Sequence, residues 1–325
     1  MKNDFIYENR FVSALEKGDT ETVAKQMLLK LVNNEETQFI ERLLEMGIDV
    51  NVVDDMYGYT PLINAAYKGN EEIVSMLLEK GADVNMDVKG DPRKRINCGY
   101  NALLYAVYKG HTNIVSMLLE KGADPNHKTN TEREYPLIEA CIRNNTEIVK
   151  MLVEKGADMN VRDSEEDLTP LHLVSSNENI ELVKFFLDKG VDVNSNTDDG
   201  PTVLMTACAN ENTNIVKLLI DNGANINWKD SDSVTAINEA SFREKPEIVS
   251  LLLDNGADPN IKDKRGDSAI TKAIEYENTE ILTLIKNHIN RMVSLVIKKG
   301  LTQKRDKPLV PYAHKEIIHH ITSFF

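Results

Sequence analysis

The chain has 325 residues, of which 41% are hydrophobic, 28% charged and 6% aromatic, and its formal net charge at pH 7 is −14. This composition is typical of a soluble folded protein and excludes a disordered or membrane-embedded chain. The longest apolar runs, such as residues 114–119, are far shorter than the ~20 residues that a bilayer-spanning helix needs. An acidic body also repels phosphate backbones, so we expect neither a membrane span nor a nucleic-acid partner.

Residues 1–19 mix both charge signs and lack the uninterrupted apolar core of a secretory signal. Cys98, Cys141 and Cys208 are too few and too scattered for a disulfide framework or a metal site. We therefore expect a cytoplasmic protein with no metal and no cofactor, and delivery into a host cell by a non-Sec route stays open. The abundance of Asn, Lys and Ile is typical of AT-rich genomes, such as those of intracellular bacteria and large viruses.

One phrase, an apolar Leu pair followed by a Gly-Ala-Asp-x-Asn-like segment, recurs seven times along the chain. Its glycines are spaced by 34, 41, 34, 34, 33 and 33 residues, at Gly47, Gly81, Gly122, Gly156, Gly190, Gly223 and Gly256. A near-fixed period of this length indicates a solenoid of stacked repeats, in which neighbouring units share the hydrophobic core.

Each period contains the signals of two helices. The apolar residues of 71–79 recur at steps of three and four, which predicts an amphipathic helix that ends before Gly81, where the backbone turns left-handed. Upstream, Thr60 and Pro61 can cap and start a shorter helix, which ends at Gly69. Each unit is therefore predicted to be a turn, a first helix, a tight loop, a second helix and a long loop.

The segments GYTPLINAAYKGNEEIVSMLLEKGADVN (58–85) and LTPLHLVSSNENIELVKFFLDKGVDVN (168–194) resemble ankyrin repeats, whose pattern is TPLHxAAxxGHxxIVxxLLxxGADxN. The resemblance implies an all-α solenoid of stacked helix-turn-helix units with β-turn-like tips and helical caps. It also implies that the tips and first helices form a concave surface that binds a partner protein. The TPLH tetrapeptide is complete only at Thr169–His172, so we expect most other units to lack the bracing that this Thr and His supply in the family.

Three regions are expected. Residues 1–52 form a divergent N-terminal cap, 53–287 form the array of about seven units with an extended turn at 86–98, and 288–325 form a basic tail. Within the tail, a helix from Ile285 to Lys298 is expected to cap the stack, and a second amphipathic helix follows near the end.

The sequence contains no phosphate-binding glycine loop, GxSxG, CxxC or HExxH motif, and its carboxylates are dispersed. Cys141 and Cys208 occupy the second small-residue position of the pattern, which favours buried structural thiols. The aspartates of the Gly-Ala-Asp phrase are expected to order the long loop by accepting bonds from their own backbone. We therefore predict a protein that is not an enzyme.

Seven of the ten tyrosines lie between residues 57 and 135, beside a basic insert of about eight extra residues. Tyrosine and arginine are enriched at binding hot spots, so we predict a monomer that binds another protein here. Alternatively, the tyrosines fill gaps between neighbouring first helices. The predicted partner-binding residues are Tyr57, Tyr59, Tyr67, Arg93, Lys94, Arg95, Tyr100, Tyr105, Tyr108 and Tyr135.

The C-terminal stretch is similar to the first helix of F-box motifs, in which LPxE is followed by apolar residues at helical spacing. Glu316, Ile317, Ile321 and Phe324 match, whereas Ala313 and His314 replace the Leu-Pro. The resemblance implies an alternative function as a substrate adaptor that recruits a ubiquitin ligase, and the other interpretation is a simple capping helix.

Overall fold

The computed structural model describes residues 20–54, 58–88, 99–129, 134–197 and 200–302, with only the helical backbone at 20–23 and 296–302. Several residues singled out from the sequence lie outside the described residues: Tyr57, Arg93, Lys94, Arg95, Cys98, Glu316, Ile317, Ile321 and Phe324. The roles predicted for them stay predictions.

The described residues form sixteen helices in eight consecutive pairs. The first helices of the pairs are α1 Thr20–Asn34, α3 Pro61–Lys68, α5 Ala102–Lys109, α7 Pro136–Ile142, α9 Pro170–Ser176, α11 Val203–Ala209, α13 Ala236–Phe242 and α15 Ala269–Glu275. The second helices are α2 Thr37–Glu45, α4 Glu71–Glu79, α6 Thr112–Glu120, α8 Thr146–Glu154, α10 Ile180–Asp188, α12 Thr213–Asp221, α14 Pro246–Asp254 and α16 Thr279–Thr302.

The helices stack in two rows. Each first helix packs against its own second helix and against the first helices of adjacent pairs, and the second helices form the other row. The predicted apolar stripe is buried, as at Ile73, Val74 and Leu77, and one continuous core runs through the array. The predicted all-α solenoid is therefore confirmed, and neighbouring units share the core because a pair of short helices is too small to bury its own stripe.

Helix ends follow the local chemistry expected from the sequence. Thr60 Oγ1 accepts a bond from the Ile63 amide at 3.1 Å, and Gly69 closes α3 with a left-handed φ of 83°. A side chain at Gly69 would meet the His111 ring, 2.5 Å from its Cε1 atom. Six other units place a non-glycine residue at this tight loop with φ between 51° and 65°: Glu35, Asn144, Glu178, Glu211, Glu244 and Glu277.

The last helix differs from the prediction. Instead of a separate helix from Ile285 to Lys298, α16 is one continuous helix of 24 residues that begins as the second helix of the last unit. Arg291 Nη1 lies 3.1 Å from Asp254 Oδ1 and ties the extension to α14. The helix continues because no glycine stands at the position where the other second helices end.

The Gly-Ala-Asp-x-Asn loops are joined along the array by asparagine bridges. In six phrases the aspartate accepts a bond from its own loop, as when Asn126 N donates to Asp124 Oδ1 at 2.9 Å, which confirms the predicted role; in the remaining phrase Asn225 takes its place. The asparagine then reaches the next loop, where Asn126 Oδ1 accepts from Asp158 N at 2.7 Å and its Nδ2 donates to Gly156 O at 2.9 Å. Bridges to the next loop also start from Asn51, Asn85, Asn194 and Asn227.

Asn160 is the exception. Its backbone amide donates to Asp158 Oδ1, but its side chain makes no described bond to the following loop. There the connection comes from Arg162, whose Nη2 donates to Asn196 O at 2.8 Å.

The bracing expected to be missing from most units without TPLH is present in the unit that begins at Thr235. In the TPLH unit, His172 Nδ1 lies 2.8 Å from Thr169 Oγ1, within hydrogen-bond distance. On the other side of the ring, His172 Nε2 lies 3.3 Å from Pro201 O in the tip of the next unit. Asn238 takes the same place: its Oδ1 accepts from Thr235 Oγ1 at 2.7 Å, and its Nδ2 donates to Ile261 O at 3.2 Å. A carboxamide carries both an acceptor and a donor, so it can perform both halves of the histidine's role.

Candidate protein-binding site

Tyr105 of α5 is the centre of a cluster of aromatic rings. Its side chain is only 2% exposed, and three rings contact it: Tyr59 and Tyr67 edge-on, with centroids at 5.8 and 5.5 Å, and Tyr100 tilted, at 5.0 Å. The Tyr59 and Tyr105 hydroxyl oxygens lie 3.0 Å apart. Such ring pairs each contribute about 0.5–1.5 kcal/mol beyond burial, so the cluster fixes the first helices of two units against each other.

Burial therefore separates the predicted tyrosines into two groups. Tyr100 and Tyr105 are buried, so for these two the gap-filling alternative fits better than the predicted contact with a partner. Tyr59 and Tyr135 are partly buried. Tyr67 and Tyr108 are exposed, at 45% and 39%.

The exposed tyrosines belong to a surface that we call the tyrosine patch, formed by Tyr67, Tyr108, Lys109, Ile142 and Arg143. Tyr67, Tyr108 and Ile142 occupy the same position near the ends of α3, α5 and α7, so they lie side by side along the row of first helices. Lys109 Nζ lies 4.3 Å from the Tyr67 centroid and 5.5 Å from that of Tyr108, and Arg143 Cζ lies 3.9 Å from the Tyr108 centroid.

The three cations at these helix ends differ in their partners. Lys68 Nζ donates to Asn33 O at 2.7 Å, at the end of α1, and lies 3.9 Å from Glu35. The Arg143 guanidinium is paired with Glu139 one turn earlier. Lys109, by contrast, has no ion pair with any carboxylate in the part of the chain that the structure describes. Its charged contacts among the described residues are the two tyrosine faces, to which it is drawn by cation–π attraction.

The basic insert is held closed at its base. Val88 N donates to Tyr100 O at 2.9 Å and Gly99 N donates to Val88 O at 2.9 Å, and an isolated bridge pairs Asp87 with Asn101. The His127 Nε2 atom lies 2.6 Å from Gly99 O. Val88 and Gly99, which flank the insert in the sequence, are therefore bonded to each other, and Val88 is also bonded to the backbone of Tyr100.

A second exposed aromatic group was missed by the sequence analysis. Phe242 and Tyr276, 46% and 38% exposed, have ring centroids 5.9 Å apart at the ends of α13 and α15, and Ile274 is exposed beside them. Arg243 pairs with Glu239 as Arg143 pairs with Glu139. The sequence signal for this group is positional, because Phe242 occupies the same repeat position as Tyr67 and Tyr108, and Tyr276 the same position as Lys109.

The buried groups that could carry chemistry are held in unreactive states. Burial raises the pKa of the Cys141 and Cys208 thiols well above their ordinary value, as expected for structural cysteines. Burial also lowers the pKa of His172 to about 4. Among the described residues no group of three His, Cys, Asp or Glu side chains is placed to hold a metal ion, and no helix there is long and apolar enough to cross a membrane.

The geometry defines a repeat solenoid, and comparison with known proteins identifies its family. A family model described as ankyrin repeats (3 copies) matches the chain in overlapping stretches, at residues 11–88, 28–129, 86–163, 126–197 and 171–263. The chain therefore belongs to the ankyrin repeat family. Ankyrin repeats are generally protein–protein interaction modules, and their fold is generally a non-catalytic scaffold.

Individual relatives match only short parts of the chain. The human 2-5A-dependent ribonuclease is 44% identical over 57 residues, which are 18% of this chain and 8% of the relative. Ankyrin repeat and SAM domain-containing protein 6 of Rattus norvegicus is 44% identical over 50 residues, 15% of this chain and 6% of the relative. The chain thus spans less than a tenth of the length of these curated relatives.

The solved structure of the ankyrin repeat domain of Bcl-3, a member of the IkappaB protein family, superposes with a TM-score of 0.59 at 24% identity. The match covers 70% of this chain and 99% of that one. This similarity supports the fold, and the identity of any partner has to come from the surface of this chain.

Proposed function

We propose that this chain is a protein-binding module that contacts its partner through the tyrosine patch. The observation that carries the proposal is the exposure of Tyr67 and Tyr108 side by side on the first helices, beside Lys109, which forms no ion pair with the described residues. Exposed aromatic side chains grouped with cations are typical of binding hot spots, whereas single exposed apolar residues are ordinary.

The buried cluster beneath the patch supports this role. The edge of Tyr67 packs on the Tyr105 ring, and Arg143 covers one face of Tyr108, so both exposed rings are held in place before a partner arrives. A side chain that is already ordered loses less conformational entropy on binding, which increases affinity. The sequence adds Arg93, Lys94 and Arg95 of the insert as further predicted contacts, since the flanking residues Val88 and Gly99 lie at Tyr100.

The test replaces the exposed rings and leaves the buried ones in place. Tyr67→Ala with Tyr108→Ala should lose the proteins that the wild type labels when a proximity-labelling enzyme is fused to the chain in its native cell. Replacing Tyr105 as well would remove buried packing and confuse binding with stability. An unchanged set of labelled proteins, with unchanged helical circular dichroism, would refute the assignment.

The matched control is Phe242→Ala with Tyr276→Ala, because these aromatic residues are similarly exposed farther along the array, Phe242 at the repeat position of Tyr67 and Tyr108 and Tyr276 at the next position. We expect this control to keep the labelled proteins. Loss in the control but not in the patch variant would move the site to the later units.

A finer function, recruitment of a ubiquitin-ligase adaptor by a host-directed effector, is the second hypothesis. It depends on Glu316, Ile317, Ile321 and Phe324, which lie outside the described residues, and on the F-box resemblance of the sequence. A deletion that tests it is given in the Discussion.

A further inference from the structure

We infer that the tyrosine patch recognises an acidic peptide segment of its partner, in which a carboxylate pairs with Lys109 and a neighbouring apolar side chain packs on Tyr67 and Tyr108. This inference rests on the proposed function and names the class of partner. It follows from the position and the pairing of one lysine.

Lys109 lies between the two exposed rings and is the one cation of the patch that the described residues leave without an anionic partner. Lys68 binds the end of α1, and Arg143 is occupied by Glu139 and by the Tyr108 ring. The ring faces orient the ammonium group without accepting its hydrogen bonds strongly, so its donors stay available to an incoming oxygen. A carboxylate of a partner would satisfy them.

The same arrangement excludes other ligand classes. A cationic ligand such as a methylated lysine would need the faces of Tyr67 and Tyr108, but Lys109 already occupies that position and would repel it. A phosphopeptide is better matched by a cluster of arginines with free bidentate edges, and Arg143 is already paired. A nucleic acid would need several unpaired cations along a surface, whereas the chain carries a net charge of −14.

The apolar half of the recognition comes from the rest of the patch. Ile142 is 52% exposed beside Tyr108 and extends the two rings into a strip along three neighbouring first helices. A ligand with only a carboxylate would leave the apolar surface of Tyr67, Tyr108 and Ile142 exposed to water. A peptide with a large apolar residue close to the carboxylate buries the strip and neutralises Lys109 at once, which fits an acidic and hydrophobic segment better than a purely acidic one.

The test is a selection of displayed random 12-residue peptides on the full chain, followed by affinity measurement of one selected peptide by fluorescence anisotropy. We expect selected peptides to carry Asp or Glu within a few residues of a large aliphatic or aromatic residue. Lys109→Gln should weaken binding about ten- to a hundredfold, the range for losing one charge-assisted hydrogen bond. Lys109→Glu should reverse the selected charge to Lys or Arg.

Lys217→Glu is the matched control, because it makes the same change of charge at an exposed position of a second helix, α12. We expect it to alter the affinity less than twofold at physiological salt, where distant charges are screened. The inference is overturned if no peptide is selected, if acidic residues are not enriched, if Lys109→Glu weakens binding no more than Lys217→Glu, or if a phosphopeptide or single-stranded DNA competes more strongly than the selected acidic peptide.

Tyr67→Ala with Tyr108→Ala separates this inference from the proposed function. Loss of the selected peptide in this variant, with no effect of the Lys109 variants, keeps the binding site and refutes the acidic partner. Retention of the peptide in the tyrosine variant refutes both.

Discussion

Removal of one asparagine bridge is expected to weaken the coupling between two units by a measurable amount. In the wild type, Asn126 makes two bonds to the next loop, accepting from Asp158 N at 2.7 Å and donating to Gly156 O at 2.9 Å. An intramolecular hydrogen bond contributes about 0.5–1.5 kcal/mol net, so Asn126→Ala should destabilise the array by about 1–3 kcal/mol. The bond that Asn126 N donates to Asp124 is made by the backbone and survives.

Asn160→Ala is the internal comparison. Asn160 occupies the same position in the next phrase and is likewise exposed, but its side chain makes no described bond to the following loop. The stability of a repeat array depends partly on the contacts between neighbouring units, and Asn160→Ala removes no such contact. Its free energy of unfolding should therefore fall by less than about 0.5 kcal/mol.

Urea unfolding followed by circular dichroism gives the two free energies, and hydrogen exchange locates the effect. The Asp158 amide should exchange faster in Asn126→Ala than in the wild type, because its acceptor is gone, and should be unaffected in Asn160→Ala. Equal losses of stability in the two variants, or unchanged protection of the Asp158 amide, would refute the bridging role.

Three further outcomes are expected. Glu178→Gly should stabilise the array by about 0.5–1 kcal/mol in urea unfolding, because the left-handed φ of 58° strains a residue with a side chain more than it strains glycine; a loss of stability would contradict this. The pKa of His172 is lowered to about 4 by burial, so its neutral form stabilises the fold fully above pH 6.5 and this contribution, on the order of 3 kcal/mol, is lost as the pH falls towards 4. His172→Asn should flatten the stability profile over that window, and parallel profiles would exclude the effect. Deletion of residues 315–325 should abolish co-purification of ubiquitin-ligase adaptors while peptide binding at the tyrosine patch persists, and retention of the adaptors excludes the F-box-like role.

The repeat architecture could be predicted from the sequence because its signals are local. The left-handed turn at Gly69 and the cap at Thr60 each depend on a few consecutive residues. Similar short signals recur in the other units, so each unit supports the same prediction. The prediction of a separate helix from Ile285 is wrong for the same reason, since the helix that begins at Thr279 continues where no local signal stops it.

The site was harder to predict because burial depends on residues far apart in the chain. Tyr105 occupies a position that is variable and solvent-facing in the repeat pattern, and it is buried only because Tyr59, 46 residues away, and Tyr67 and Tyr100 close over it. The position of Lys109 over the Tyr67 and Tyr108 rings depends likewise on the packing of two neighbouring units. Composition could indicate a tyrosine-rich end, but only the packing separates its buried rings from its exposed ones.

The length of α16 makes the last unit convenient for spectroscopy. At 24 residues the helix is about 36 Å long, and its exposed Ser294 lies on the extension beyond the last unit. A spin label there, paired with one at exposed Glu72 on α4, would convert small changes in the twist of the stacked units into a change of distance. The distance between the two labels, measured with and without a bound partner, would show whether binding changes the stacking of the units.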